Sequence, residues 1–350
     1  MTGPLKLNPL LMDGGPLGPI SVSGVVSGLR LTQDNAFPGD KSSRLDLSNG
    51  QLIVQLTQGP VQFYAQAGAY SLPSLGTPYF TAGDVNGDTF GVLPIAYVKI
   101  VPSANFNIQA GKLYTLQGGE NTFTFMNFNV ERGLLWNQTN AVNRGVQANY
   151  ARGLFSVSVS LNDGYYSGKY NWVSATVGYA VSPNDTITAG AAANLGRTRK
   201  TSFATPLPQS NGEVYVLGWT HTKGPLTVQF YAQVTRLPRD RSLGISRRAS
   251  TYGAAVLGKY TVAKEFSVAG RAEYIQSTGS PANGAPSLLY GAGSGAWSLT
   301  VTPTWQRGIL FVRGEGSYVR ANSVVPGFGL GPDFDRRAQV RALIEGGILF

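Results

Sequence analysis

Apolar and polar residues alternate with period two along almost the whole 350-residue chain, and this pattern restricts the fold more than any single motif. Val61, Phe63, Ala65, Ala67 and Ala69 fall on one face of an extended segment, and Gln62, Tyr64 and Gln66 on the other. Successive side chains of a strand point to opposite sides, so such a segment shows two chemistries to two environments. The pattern returns as Phe155 to Leu161 against Ser156, Ser158 and Ser160, and as Leu226 to Val234 against Thr227, Gln229, Tyr231 and Gln233. It returns again as Trp297 to Trp305 against Ser298, Thr300, Thr302 and Thr304. A soluble sandwich pairs a Leu, Ile and Phe core with a charged outer face. Here the polar face is Ser, Thr, Gln and Asn, which suits water on one side and lipid on the other.

Aromatic placement sharpens that reading. On the apolar face, Tyr252 and Tyr260, Phe266 and Tyr274, and Trp297 and Trp305 bracket three successive strands at a spacing of eight residues. Eight tilted strand residues climb roughly 20 Å, close to the apolar band of about 25 Å between aromatic girdles. Tight turns at Gln58–Pro60, Pro102–Ala104, Ala151–Gly153, Ser182–Asp185, Thr222–Gly224, Val262–Glu265 and Gln306–Gly308 alternate with long Gly-, Pro- and Asn-rich connections. The long ones lie near 34–42, 72–91, 117–140, 162–169, 195–211, 236–248, 277–294 and 321–335.

The expected fold is all-β: a closed antiparallel transmembrane barrel of about sixteen strands, with short periplasmic turns and long extracellular loops. Residues 20–350 form the barrel and 1–19 a periplasmic N-terminal segment. The last strand alternates from Ala338 to the terminal Phe350, which falls on the lipid face.

Composition removes the competing classes. Charged residues are 13% of the chain, against roughly 25% in soluble domains. No run approaches the roughly 20 apolar residues of a helical span. The net charge of +10 is spread over strands and loops rather than gathered on one stripe, which argues against nucleic acid. There is no Cys and a single His, His221, beside a tight turn, so no triad, His/Cys metal site or cofactor is expected. The start, Met1-Thr2-Gly3-Pro4, lacks an export signal's charged and apolar regions and reads as a mature chain with an added Met.

With the phase taken from the aromatic brackets, Lys259, Arg271, Glu273, Arg313, Glu315, Arg341 and Glu345 face inward, and Lys99 and Lys112 join them less securely. Such charges either stiffen the wall or set which solutes pass. The segment 117–140 holds Glu120, Glu131, Arg132 and the aromatics Phe123, Phe125, Phe128 and Trp136, which are costly on an exposed rim. It is expected to fold inward as a constriction, the alternative being an extracellular cap or subunit contact. The function expected is passive diffusion of small hydrophilic solutes, with mild anion preference from the cationic excess. The alternative is a binding or adhesion scaffold with a plugged interior and functional external loops.

Several segments carry a family resemblance: Gly111-Lys112-Leu113 with Gly119-Glu120, Glu131 to Trp136, Asn162-Asp163-Gly164-Tyr165, Arg271 to Tyr274 and Arg313 to Tyr318. Over about residues 20–350 the chain resembles the OmpL-like β-barrel porin family, or β-barrel porin-2, of Gram-negative outer membranes. The resemblance implies an integral outer-membrane pore without catalytic residues. The final strand ending in Phe resembles the signal read by the barrel assembly machinery. Outer-membrane lipid and lipopolysaccharide, small hydrophilic or anionic solutes and, by fold-level analogy, two further copies in a homotrimer are the partners expected.

Overall fold

Each alternating segment leaves a row of backbone donors and acceptors on both edges, and within a bilayer only closure satisfies them all. The computed structural model of the protein describes residues 4, 5 and 7–350; Met1 to Gly3, part of the chain start read above, lie outside the described residues. The barrel strands are β2 (Pro19–Gln33), β3 (Ser43–Leu56), β4 (Val61–Tyr70), β5 (Ile95–Ser103), β6 (Phe106–Tyr114), β7 (Val142–Arg152), β8 (Phe155–Asn162) and β9 (Trp172–Ala180). They continue as β10 (Asp185–Asn194), β11 (Glu213–Lys223), β12 (Leu226–Leu237), β13 (Ala249–Ala263), β14 (Phe266–Ser277), β15 (Gly295–Arg307), β16 (Leu310–Ser323) and β17 (Ala338–Leu349). Each pairs antiparallel with the next, and β17 returns to β2 from Arg341↔Gln33 to Leu349↔Val25. A sixteen-strand barrel is thereby closed, as the sequence leads one to expect.

The turns follow from local chemistry. Hairpins of two residues need left-handed backbone, and Gly153 (φ 60°) and Gly308 (φ 56°) supply it at no steric cost. On the outer face Leu217, Val301 and Ile344 are exposed by 55%, 55% and 63%, values that suit lipid rather than water. The short strand β1 (Leu10–Asp13) pairs with the first residues of β2, Leu10↔Val22 to Asp13↔Pro19. Leu5 is fully buried among Val25, Ile53, Phe311 and Leu349. The segment before β2 therefore adds a strand to the sheet and seats the Leu5 side chain among interior residues.

Wall side chains alone cannot fill a barrel this wide. Two long connections enter it instead: residues 71–94, with the helix α1 (Ala82–Asp88) capped by a Thr81–Asp84 box, and residues 115–141. Their side chains form clusters with the wall, one around Tyr70, Leu72, Phe123, Phe125 and Val142 and another around Leu75, Leu134, Leu135 and Tyr231, which Tyr290 of the β14–β15 connection joins.

Candidate functional site

The interior charges lie on neighbouring strands at matching heights, because the register sets Arg313 opposite Glu345 and Arg341 opposite Ser317. All six wall residues Arg271, Glu273, Arg313, Glu315, Arg341 and Glu345 are buried. Their hydrogen bonds run to the 115–141 segment. Arg313 donates to the carbonyls of Thr124, Asn127 and Phe128 at 3.0, 3.0 and 2.9 Å, and pairs with Glu345 at 3.3 Å. Glu345 accepts from Thr124 Oγ1 at 2.8 Å. Glu315 accepts the amides of Val130 and Glu131 at 2.5 and 2.9 Å and the Thr302 hydroxyl at 2.6 Å. Glu273 accepts the amides of Leu134 and Leu135 at 3.0 and 3.4 Å and the Ser298 hydroxyl at 2.7 Å.

The segment's own charges answer in kind. Glu120 meets Arg271 at 2.6 Å and accepts the Gly133 amide at 2.9 Å. Glu131 meets Arg341 Nη1 at 2.8 Å, and Arg341 also donates to the carbonyls of Ser74 and Thr77 at 2.6 Å each, which ties down the 71–94 segment as well. Charge-assisted hydrogen bonds of this kind contribute about 1.5–3 kcal/mol each where both partners are kept. Gly133 is required for one of them: a Cβ there would stand 2.0 Å from Glu273 Oε1.

Arg132 differs from its neighbours. It is fully buried, its guanidinium lies 5.1 Å from the Trp136 ring, and none of its three nitrogens has a hydrogen-bond partner among the described residues. Burial pulls its pKa down to about 10, which leaves the group charged at neutral pH. Lys99 shares the interior face of Gln62 and Gln109 and is half-buried. Lys259 lies at the turn end, where it lines a cavity of about 590 Å³ with Pro4 and Leu7. Lys112 stands apart from these charges: its ammonium lies 5.6 Å from the Tyr166 ring, and the positive φ of Gly111 (141°) beside it interrupts the alternation of β6. Its ammonium donates to the carbonyls of Phe90 and Leu93 at 3.3 and 2.8 Å, fastening the 71–94 segment to the rim. Strand β6 carries apolar residues on both faces, so alternation alone could not fix the phase of Lys112.

The other side of the interior has a different lining. From β7 to β12 the inward positions include Gln147, Asn149, Ser158, Thr176, Thr188, Thr220 and Gln229, with Gly178, Gly190 and Gly218 between them. The charge nearest this lining is Arg144 at the loop end of β7, which pairs with Asp163 at 2.7 Å and lies 3.9 Å from the Tyr166 ring. Ser158, Thr176, Thr188, Thr220 and Gln229 retain accessible surface. A cavity of about 280 Å³ lies between Gln229 and residues 114–122. Ser298, Thr300, Thr302 and Gln33, which complete the charged network, lie on the polar phase of their strands. Sequence alternation put the first three inward but gave no sign of their partners.

On the outer face Tyr252, Tyr260, Phe266 and Tyr274 are exposed, and Trp297 and Trp305 are half-exposed. Phe350 continues β17 by exchanging backbone hydrogen bonds with Gly24, at 2.6 and 3.0 Å, and its ring rests where a Cβ of residue 24 would lie.

The architecture agrees with what comparison with known proteins returns. The family model described as "Putative beta-barrel porin-2, OmpL-like" matches residues 19–350. The chain belongs to this family. No curated protein sequence matches it at a significant level. Among solved structures, outer-membrane-expressed OmpT of Vibrio cholerae superposes with a TM-score of 0.63 at 11% identity, covering 97% of this chain and 100% of that one. The in-vitro folded trimer form of the same protein gives 0.59 at 11% identity over 95% and 99%. The outer membrane channel DcaP of Acinetobacter baumannii gives 0.59 at 13% identity over 98% and 100%. At such identities the likeness is one of fold.

As a member of this porin family the chain is an integral outer-membrane barrel. His221 fits no hydrolytic site: its Nδ1 lies 2.8 Å from Asp185 on the same outward face as Trp219, and the nearby Ser182 hydroxyl bonds Asp185 rather than the imidazole.

Proposed function

We propose that the protein is a passive diffusion pore for small hydrophilic solutes, narrowed by the 117–140 segment and mildly selective for anions. The observation that carries this reading is the asymmetric use of charge. The carboxylates of Glu273, Glu315 and Glu345 are committed to amides and guanidinium groups that hold the segment to β14–β17. The uncharged Ser, Thr and Gln wall of β7–β12 is left for water and solute. With the acids engaged, Lys99 on the interior face and the overall charge of +10 bias the potential toward anions. No chemistry beyond passage is asked of any side chain.

One observation favours a second reading, the scaffold with a plugged interior. The 71–94 and 115–141 segments bring large apolar clusters into the barrel, around Phe123 and Phe125 and around Leu134 and Leu135. A planar bilayer separates the two. The pore gives steady ohmic steps and a reversal potential of anionic sign across a salt gradient. Electrical silence of correctly folded protein favours the scaffold, and clear cation preference removes the selectivity proposal.

A further inference from the structure

On the outer wall, at the extracellular rim of β11–β14, two features lie one above the other. The upper one is a cleft of about 1010 Å³ lined by Arg236, Arg239, Arg247 and Arg248, all exposed. Among the described residues none of these four arginines forms an ion pair within 4.0 Å, and the single carboxylate of the cleft, Glu213, accepts a hydrogen bond from the Tyr215 hydroxyl at 2.9 Å. Four like charges sharing one cleft repel one another, and a multivalent anion would offset that repulsion.

Register puts the cleft's strand residues Glu213, Arg236 and Ser250 on the outward phase of the wall. Glu213 is opposite Arg236 and Arg236 opposite Ser250, and this row continues the outward phase of Tyr215, Val234 and Tyr252, which are exposed by 42%, 38% and 48%. Two residues further down each strand, roughly 6.6 Å by strand rise, begins the lower feature. It is an apolar groove of about 470 Å³ with Ala232 and Ala254 on its floor and Tyr215, Tyr252 and Tyr274 as walls. The groove therefore lies next below the cleft on the same outward face, with the basic feature nearer the extracellular rim and the apolar one nearer the middle of the wall.

We propose that this surface is a binding site for a phosphorylated, multiply acylated lipid of the outer leaflet, its phosphates held in the arginine cleft and one acyl chain laid in the groove between the tyrosines. The inference rests on the barrel's place in the outer membrane and is independent of whether the interior conducts. A free phosphate would use the cleft but has nothing to put in the groove, and a neutral lipid would use the groove alone. The vertical order of the two is what selects a lipid carrying both.

The test is lipid retention by the full-length barrel, refolded free of lipid in detergent and titrated with diphosphorylated hexa-acyl lipid A under native mass spectrometry. Saturable binding at one lipid per chain is expected. The Arg247→Gln/Arg248→Gln double variant removes charge without touching a strand, and it should weaken retention about thirtyfold if each arginine contributes the usual headgroup attraction. Ala254→Trp fills the groove and leaves every charge in place, and it should weaken retention too. Heat-modifiable migration on gels verifies that each variant is folded. The proposal is overturned if dephosphorylated lipid A binds as tightly as the diphosphorylated form, or if both variants retain the lipid as the parent does. It is also overturned if inorganic pyrophosphate alone binds as tightly, which would make this a soluble-anion cleft. Variants that change self-association and leave lipid retention intact would make it a contact between copies, with the same consequence.

Discussion

Strands β14–β17 and strands β7–β12 share one period-two pattern and one barrel, yet their interior faces are built from different chemistry. On β14–β17 the inward positions hold three arginines and three glutamates, all buried beneath the 115–141 segment. On β7–β12 they hold hydroxyls, amides and glycine, and several keep accessible surface. The difference separates two tasks that a barrel wall performs. A charge that is fully hydrogen-bonded to a loop's backbone fixes that loop in place, since taking away one partner strands the other in a dry site. The hydroxyl and amide wall holds the segment with fewer, uncharged bonds, such as Gln233 to the Leu135 carbonyl at 3.0 Å, and leaves part of its surface to water and solute.

The comparison breaks most visibly if the clamped segment is taken out. Deleting residues 117–140 should raise single-channel conductance more than any point substitution, and unchanged conductance would return the segment to the role of an external cap. Next in size is Arg313→Ala, which releases three carbonyls and leaves Glu345 buried without its ion pair. A loss of about 3–5 kcal/mol is expected, read as earlier denaturant unfolding in detergent, with noisier channel steps as the segment loosens. Glu315→Ala strands the Val130 and Glu131 amides. It should cost about 1–3 kcal/mol per donor left unsatisfied, by the same measurement. Gly133→Ala sets a methyl against the Glu273 carboxylate and should reproduce part of that loss.

The opposite wall should respond in the other currency. Thr188→Glu and Gln229→Glu are expected to stay within about 0.5 kcal/mol of the parent stability while moving the reversal potential toward cations. Lys99→Glu should move it the same way. A stability loss at Thr188 as large as that at Arg313 would erase the distinction between the two halves.

The fold was legible in the sequence because its cause is local. Alternation, glycine turns and eight-residue aromatic brackets are each visible within a single hairpin, and Phe350 could be phased from its own strand. The site was legible only to the depth of one strand. Arg271, Glu273, Arg313, Glu315, Arg341 and Glu345 were all phased inward, but the choice between stiffening and selectivity stayed open because many of their partners are backbone amides and carbonyls far away in the chain, such as the Leu134 amide for Glu273 and the Thr124 carbonyl for Arg313. Backbone groups carry no residue signature, so no pattern could name Val130 or Leu134 as the groups being held. Lys112 is harder to phase for the complementary reason: its strand has no clean polar phase, and Gly111 (φ 141°) interrupts the alternation beside it.

Because the chain contains no cysteine, single cysteines can report directly on which half of the wall meets the passing current. Cysteines placed at Ser158, Thr188 and Gln229 should each be modified by a charged, water-soluble thiol reagent and partly block the open channel. Those at Ser298 and Thr302, under the clamped segment, should stay unreacted and leave the current unchanged. Block from Ser298 and Thr302 with none from Thr188 and Gln229 would put the passage on the charged side and contradict the division of the wall described above.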